Sequence, residues 1–255
     1  MKTLGLYFSG TGNSKYCVEE FMKAINEETH LSSIEDKNVI SLIKEADSII
    51  LGYPVYYSNL PLILKDFIKS NHQLWNNKQI FLIATQGMFS GDGSGYCARL
   101  LKEYGATITG GIHIKMPDNT IDVKALKKDT IKEQEIIEQA KTTAQKAAKL
   151  YMQGNAPKHG LNPASHILGL FGQRLWFSRM VKEYKDHPKI NRDKCIGCNK
   201  CVSCCPMQNL SLNNDNKAIH TNKCTLCYRC VHTCPTQSIA LLGKQVVHDQ
   251  STLIK

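Results

Sequence analysis

The chain has 255 residues, enough for one large domain or two smaller ones with a core that needs no disulfide staples. Its formal charge of +10 is uneven, because residues 1–150 carry 18 Lys/Arg against 17 Asp/Glu while residues 151–255 carry 14 against 5. The basic half has neither interleaved aromatics nor a nucleic-acid motif, and no uninterrupted apolar run reaches about 18 residues, so neither a nucleic-acid partner nor a spanning helix is expected.

The opening "MKTLGLYFSGTGN" alternates like a strand and breaks at a glycine turn, unlike a signal peptide, so a cytoplasmic protein is expected. "TLGLYF" (3–8) predicts the first strand and "SKYCVEEFMKAI" (14–25) a helix. A weak second strand is placed at "HLSSI" (30–34), and "DSIILGYPV" (47–55) predicts a buried third strand ending in Gly and Pro. "PLILKDFIKSN" (61–71) begins with proline where a helix starts. "KQIFLIAT" (78–85) is a strand, "GYCARLLKEYG" (95–105) a helix closed by glycine, "ATITGGIHIK" (106–115) a strand, and 122–152 a long polar helix. This alternation predicts an α/β unit with a doubly wound five-stranded parallel sheet in the order 2-1-3-4-5. The next stretch, "GNAPKHGLNPAS" (154–165), is loop-like, and "HILGLFGQRLWFSRMVKEY" (166–184) predicts one apolar, basic connector helix that packs on protein, with no membrane partner expected.

Eleven cysteines are unevenly placed, with nine of them beyond Lys194. Cys17 and Cys97 stand alone in helices and read as buried small hydrophobes. The others form a repeat: Cys195-x2-Cys198-x2-Cys201-x3-Cys205-Pro206, then Cys224-x2-Cys227-x2-Cys230-x3-Cys234-Pro235. Clustered cysteines in a reducing compartment point to metal, and overlapping CxxC units that end in CP suit iron–sulfur clusters better than zinc. Cys204 falls outside the repeat, opposite Thr233, and reads as a spare thiol, an alternate ligand or a redox-sensitive group.

After the first strand comes Ser9-Gly10-Thr11-Gly12-Asn13-Ser14. A Walker loop would need Lys-Ser/Thr after its second glycine, and a dinucleotide fingerprint would need glycine where Lys15 stands. A Ser/Thr-x-Thr-Gly-x-Ser/Thr phosphate loop fits at all four specified positions, with hydroxyls and helix N-terminal amides cradling a phosphate. A plain strand–turn–helix is the alternative.

These motifs carry a resemblance. Residues 1–150 resemble flavodoxin, residues 189–243 resemble a bacterial 2[4Fe-4S] ferredoxin of α+β fold, and together they resemble the fused flavodoxin–ferredoxin family. The division implied is 1–153 for the flavin domain, 154–188 for the connector, 189–243 for the ferredoxin domain and 244–255 for a tail. The resemblance implies FMN, with Ser9, Thr11, Gly12, Asn13 and Ser14 at its phosphate. The ring would lie among the loops "GYPVYYSNLP" (52–61) and "TQGMFSGDGSGY" (85–96), which offer Pro54, Tyr56, Tyr57, Asn59, Thr85, Gln86, Gly87, Phe89, Gly91 and Gly93. "MPDNTI" (116–121) resembles a loop that in relatives often reads MPDNY, and Thr120 stands in place of that tyrosine. The ferredoxin resemblance implies that the fourth cysteine of each run ligates the other cluster. Cys195, Cys198, Cys201 and Cys234 would then hold one [4Fe-4S] cluster, and Cys224, Cys227, Cys230 and Cys205 the second.

No side chain stands out as a general acid or base. The expected function is electron transfer between two [4Fe-4S] clusters and FMN, as a flavin-dependent reductase of a small electron acceptor. The alternatives are a non-enzymatic carrier docking with a redox partner protein, and a redox sensor.

Overall fold

Alternation along the central strands decides the architecture. In β3 (Ser48–Pro54), Ile49, Leu51 and Tyr53 face one core while Ile50 faces another. In β4 (Gln79–Gln86), Ile80, Leu82 and Ala84 join the first core, and Phe81 and Ile83 join the second. A strand that is apolar on both faces must be covered on both sides, which requires helices above and below a parallel sheet.

The computed structural model describes residues 2–25, 30–56, 59–88, 91–126, 129–162, 164, 165, 167 and 188–249. β1 (Thr3–Tyr7), β2 (His30–Ser33), β3, β4 and β5 (Thr107–Lys115) form one parallel sheet in the order β2-β1-β3-β4-β5. Helices α1 (Asn13–Ala24) and α5 (Thr130–Met152) cover one face, where Ala140, Ala144, Ala147 and Ala148 form a stripe along α5 that lets it pack closely. Helices α2 (Val39–Glu45), α3 (Leu62–Ser70) and α4 (Gly93–Glu103) cover the other face around the fully buried Trp75. Cys17 and Cys97 lie in these cores, where burial pushes each thiol up to about 12.

Two elements differ from the sequence reading. Helix α2 had no predicted counterpart. The long helix begins at Thr130 rather than at 122, because the Asp129 carboxylate accepts from the amides of Ile131 and Lys132 and caps it there. Residues upstream of that cap instead reach the C-terminal unit.

That unit holds two small antiparallel sheets, β6 (Lys189–Ile190) with β9 (Ile239–Ala240) and β7 (Leu210–Leu212) with β8 (Ala218–His220). Two short helices, α6 (Lys200–Ser203) and α7 (Arg229–Thr233), each contain the third cysteine of a run, Cys201 and Cys230. Its core is built from Cys195, Cys201, Cys230 and Cys234 with Leu210, Val231, Ile239 and Leu241, and Ile121 of the N-terminal unit is buried in it. Apart from Ile167, the predicted connector helix at 166–184 lies outside the described residues, as does the end of the tail. Among the described residues no helix is long and apolar enough to cross a membrane.

Candidate functional site

The loops that leave the C-terminal ends of β1, β3, β4 and β5 converge on a cleft of about 280 Å³. This is where open parallel sheets place their ligands. The first loop contributes Ser9, Gly10, Thr11, Asn13 and Ser14. It turns sharply because Gly12 takes the left-handed conformation at the start of α1, with its amide donating to Ser9 Oγ at 3.0 Å. The Ser14 hydroxyl is turned towards Thr85 Oγ1, 2.7 Å away. Asn13 donates to the carbonyl of Pro117 at 2.9 Å, which ties the loop to the one after β5.

Pro54, Tyr56, Thr85, Gln86 and Gly87 also line the cleft. Tyr56 is held by a tight turn, exchanging backbone hydrogen bonds of 2.9 and 3.1 Å with Asn59, so Asn59 shapes the wall without lining it. Gly12, Gly91 and Gly93 are likewise outside the lining. Gly93 starts α4, where an added Cβ would run into Val55, and its carbonyl accepts from the buried Tyr53 hydroxyl. Tyr57 and Phe89 lie outside the described residues. Two buried polar atoms at the cleft, the Tyr56 hydroxyl and Gln86 Oε1, have no hydrogen-bond partner among the described residues. Buried polar groups are rarely left so, and a ligand with donors and acceptors on a ring edge would satisfy them. Burial, and next the Cys227 thiol, hold the Tyr56 phenol well above its ordinary value, so it stays neutral.

The cysteines surround two further cavities. Cys195, Cys198, Cys201 and Cys234 line one, and Cys205, Cys224, Cys227 and Cys230 line the other. Cys204 lines neither, and its thiol points back to the Cys201 carbonyl at 3.5 Å. Each fourth cysteine has crossed to the other set, so the two halves interlock. Backbone amides already aim at the sulfurs: Ala218 at Cys195 (3.5 Å), Asn209 at Cys205 (3.3 Å), Leu226 at Cys224 (3.4 Å) and Ser238 at Cys234 (3.3 Å). Four sulfurs around a cavity, with amides directed at them, fit an iron–sulfur cluster. Among the described residues no three His, Cys, Asp or Glu side chains meet as around a single ion. Burial pushes the Cys227 thiol up to about 12 and the Cys201 and Cys224 thiols up to about 11, so loading metal must displace protons.

Residues 4–109 match the model of the flavodoxin domain family, and residues 187–235 match that of the 4Fe-4S dicluster domain. The chain is a flavodoxin–ferredoxin fusion. Solved structures similar to the fusion include a flavodoxin from the domain Archaea, at 19% identity over 60% of this chain and 99% of that one, TM-score 0.42. The two-electron reduced flavodoxin of Megasphaera elsdenii is 23% identical over 57% of this chain and 99% of its own, TM-score 0.40. Rubredoxin oxygen:oxidoreductase from Desulfovibrio gigas is 17% identical over 60% of this chain and 36% of its own, TM-score 0.42. No curated protein matches the fusion.

The two domains of the fusion meet at the cleft. Leu226, Tyr228 and Leu242 of the ferredoxin domain line it together with Asp118, Asn119 and Thr120. The buried Asp122 carboxylate is the main tie. It accepts from the Tyr228 hydroxyl (2.8 Å) and from the amides of Leu241 (2.6 Å) and Gly243 (3.1 Å). Arg229 is the second tie, pairing bidentately with Glu35 at 2.8 and 2.9 Å and donating to the carbonyls of Ser9 (2.8 Å) and Cys204 (3.2 Å). Gly10 is required here, because an added Cβ would run into the carbonyl of Cys227. None of Asp122, Tyr228 or Arg229 was legible as a site residue. Asp122 falls where periodicity continued a helix, and the other two read as spacers between ligand cysteines. The available signal was Thr120, where the resemblance implied a ring and the sequence has none.

Proposed function

We propose that this protein exchanges electrons between an FMN held in the flavodoxin cleft and two [4Fe-4S] clusters held by the two cysteine sets. The observation that carries the reading is a shared wall: Tyr228 lines both the flavodoxin cleft and the cavity of Cys205, Cys224, Cys227 and Cys230. That set is the nearer to the cleft, and Cys227 packs into the same core as Phe8 and Tyr53 of the flavodoxin domain. When bound, the clusters supply one-electron steps and the flavin supplies one- or two-electron steps.

The chain's own residues bind, orient and tune. Amides directed at Cys195, Cys205, Cys224 and Cys234 stabilise negative charge on those sulfurs and so favour the reduced state of what they hold. Cys198 is the exposed member of the first set, and its neighbour Ile196 is 63% exposed, so that set faces solvent and suits exchange with an outside donor. At the other end, Met88 on the rim of the cleft is 82% exposed. A rim open at Met88 would give a small acceptor access to a flavin held in the cleft, which favours the reductase form of the reading.

The test is composition after anaerobic reconstitution. The reading expects about eight irons and one FMN per chain. Cys205→Ser should drop iron to about four while Cys204→Ser leaves it at about eight, because Cys204 lines neither cavity. About four irons in the unaltered chain, or failure to bind FMN, would overturn the reading. Turnover of a panel of small acceptors by the loaded, reduced protein then tests the reductase form of it.

A further inference from the structure

The cysteine repeat extends to the backbone. The second copy follows the first at an offset of 29 residues, and the left-handed positions recur at that offset: Gly197 with Leu226 (φ 67° and 57°), Asn199 with Tyr228 (63° and 61°), and Gln208 with Gln237 (48° and 50°). In the first copy, two of these positions carry Gly and Asn, the residues that adopt this conformation most readily. The second copy carries Leu and Tyr, large side chains for which the same conformation is strained. Folding around the cysteines therefore does not call for them, since Gly197 and Asn199 accomplish the same turn. Strain that is kept where an easier residue would serve points to a role for the side chain.

Both side chains reach the same place. Leu226 and Tyr228 line the flavodoxin cleft. Tyr228 is 3% exposed, and the hydrogen bond from its hydroxyl to Asp122 fixes the ring. Among the described lining residues, Tyr56 and Tyr228 bring the aromatic rings, one from each domain. Thr120, beside them, brings none.

We propose that Leu226 and Tyr228 are flavin-contacting residues, so that the second cysteine repeat supplies one wall of the flavin site and the flavodoxin domain alone holds an incomplete one. Flavin binding and the seating of the ferredoxin domain are then coupled, and each strengthens the other. The inference rests on the reading of the cleft as an FMN site.

The test uses the full, cluster-loaded chain and titrates FMN by fluorescence, comparing the unaltered protein with Tyr228→Asn and Leu226→Gly. These variants copy the first repeat and so relieve backbone strain. The proposal expects about tenfold weaker FMN binding and brighter bound flavin in Tyr228→Asn, with a smaller loss in Leu226→Gly, each read on chains matched for iron content. Equal affinity and equal quenching in all three would overturn it while leaving the FMN site standing. An unaltered chain that binds no FMN would overturn both. If a variant fails to load iron, hydrogen exchange of the unaltered loaded chain with and without FMN decides the matter. Slowed exchange at Leu226–Arg229 is expected, and no change there would overturn the proposal.

Discussion

At the scale of single residues, buried polar groups separate structural from functional roles. The pair Ser94 and His113 resembles a nucleophile beside a base, with Ser94 Oγ 2.6 Å from His113 Nε2. The same hydroxyl also donates to the His159 carbonyl at 2.6 Å, and Ser94 is fully buried, so its proton is committed and no substrate reaches it. Its role is to fasten the loop through His159 to β5. Burial, and then the neighbouring His159, hold His113 down to about 4, against the pull of Asp92. The folded state thus favours the neutral ring. The contribution is full above pH 6.5 and is lost progressively as the pH falls towards 4. Denaturant unfolding should show about 2 kcal/mol less stability at pH 5 than at pH 7 from this group, and His113→Gln should remove most of that slope. An unchanged slope in the variant would show that the ring titrates normally.

At the scale of elements, what was legible was what repeats or alternates. The apolar runs at 47–55 and 78–85 become β3 and β4 because a strand buried on both faces has one reading. Even the weak strand at 30–34 falls on β2, His30–Ser33. Helix α2, seven residues long, is too short to establish a period. The start of α5 was misplaced because Asp129 caps it while Asp122, seven residues earlier in the chain, serves the other domain. The Ser9–Ser14 turn and the cysteine runs were legible because each is set by local spacing. The contacts that join them were not, since Arg229 meets Glu35 and Ser9 across the fold. Arg229→Gln would strip the Ser9 and Cys204 carbonyls and the Glu35 carboxylate of a shared donor. It should cost about 1–3 kcal/mol, measured as faster native-state hydrogen exchange at the Ser9–Ser14 turn and at α7. Arg229→Lys should not restore it, because an ammonium cannot serve a bidentate carboxylate and two carbonyls together. Exchange as slow as in the parent would mean that the tie contributes little.

At the scale of the whole molecule, the fold sets a sequence of sites. The first cysteine set faces solvent at Cys198, the second is shared with the cleft through Tyr228, and the cleft opens at Met88. The interlocked fourth cysteines, Asp122 and Arg229 hold these three sites as one body, which is what electron exchange within a single chain requires. Rapid-mixing absorbance on the fully loaded protein tests this most directly. A limiting one-electron donor is added, and the flavin and cluster bands are followed at several protein concentrations. The account predicts that electrons redistribute between clusters and flavin at a rate independent of protein concentration. A rate that rises in proportion to protein concentration would show that the exchange runs between molecules, and would contradict it.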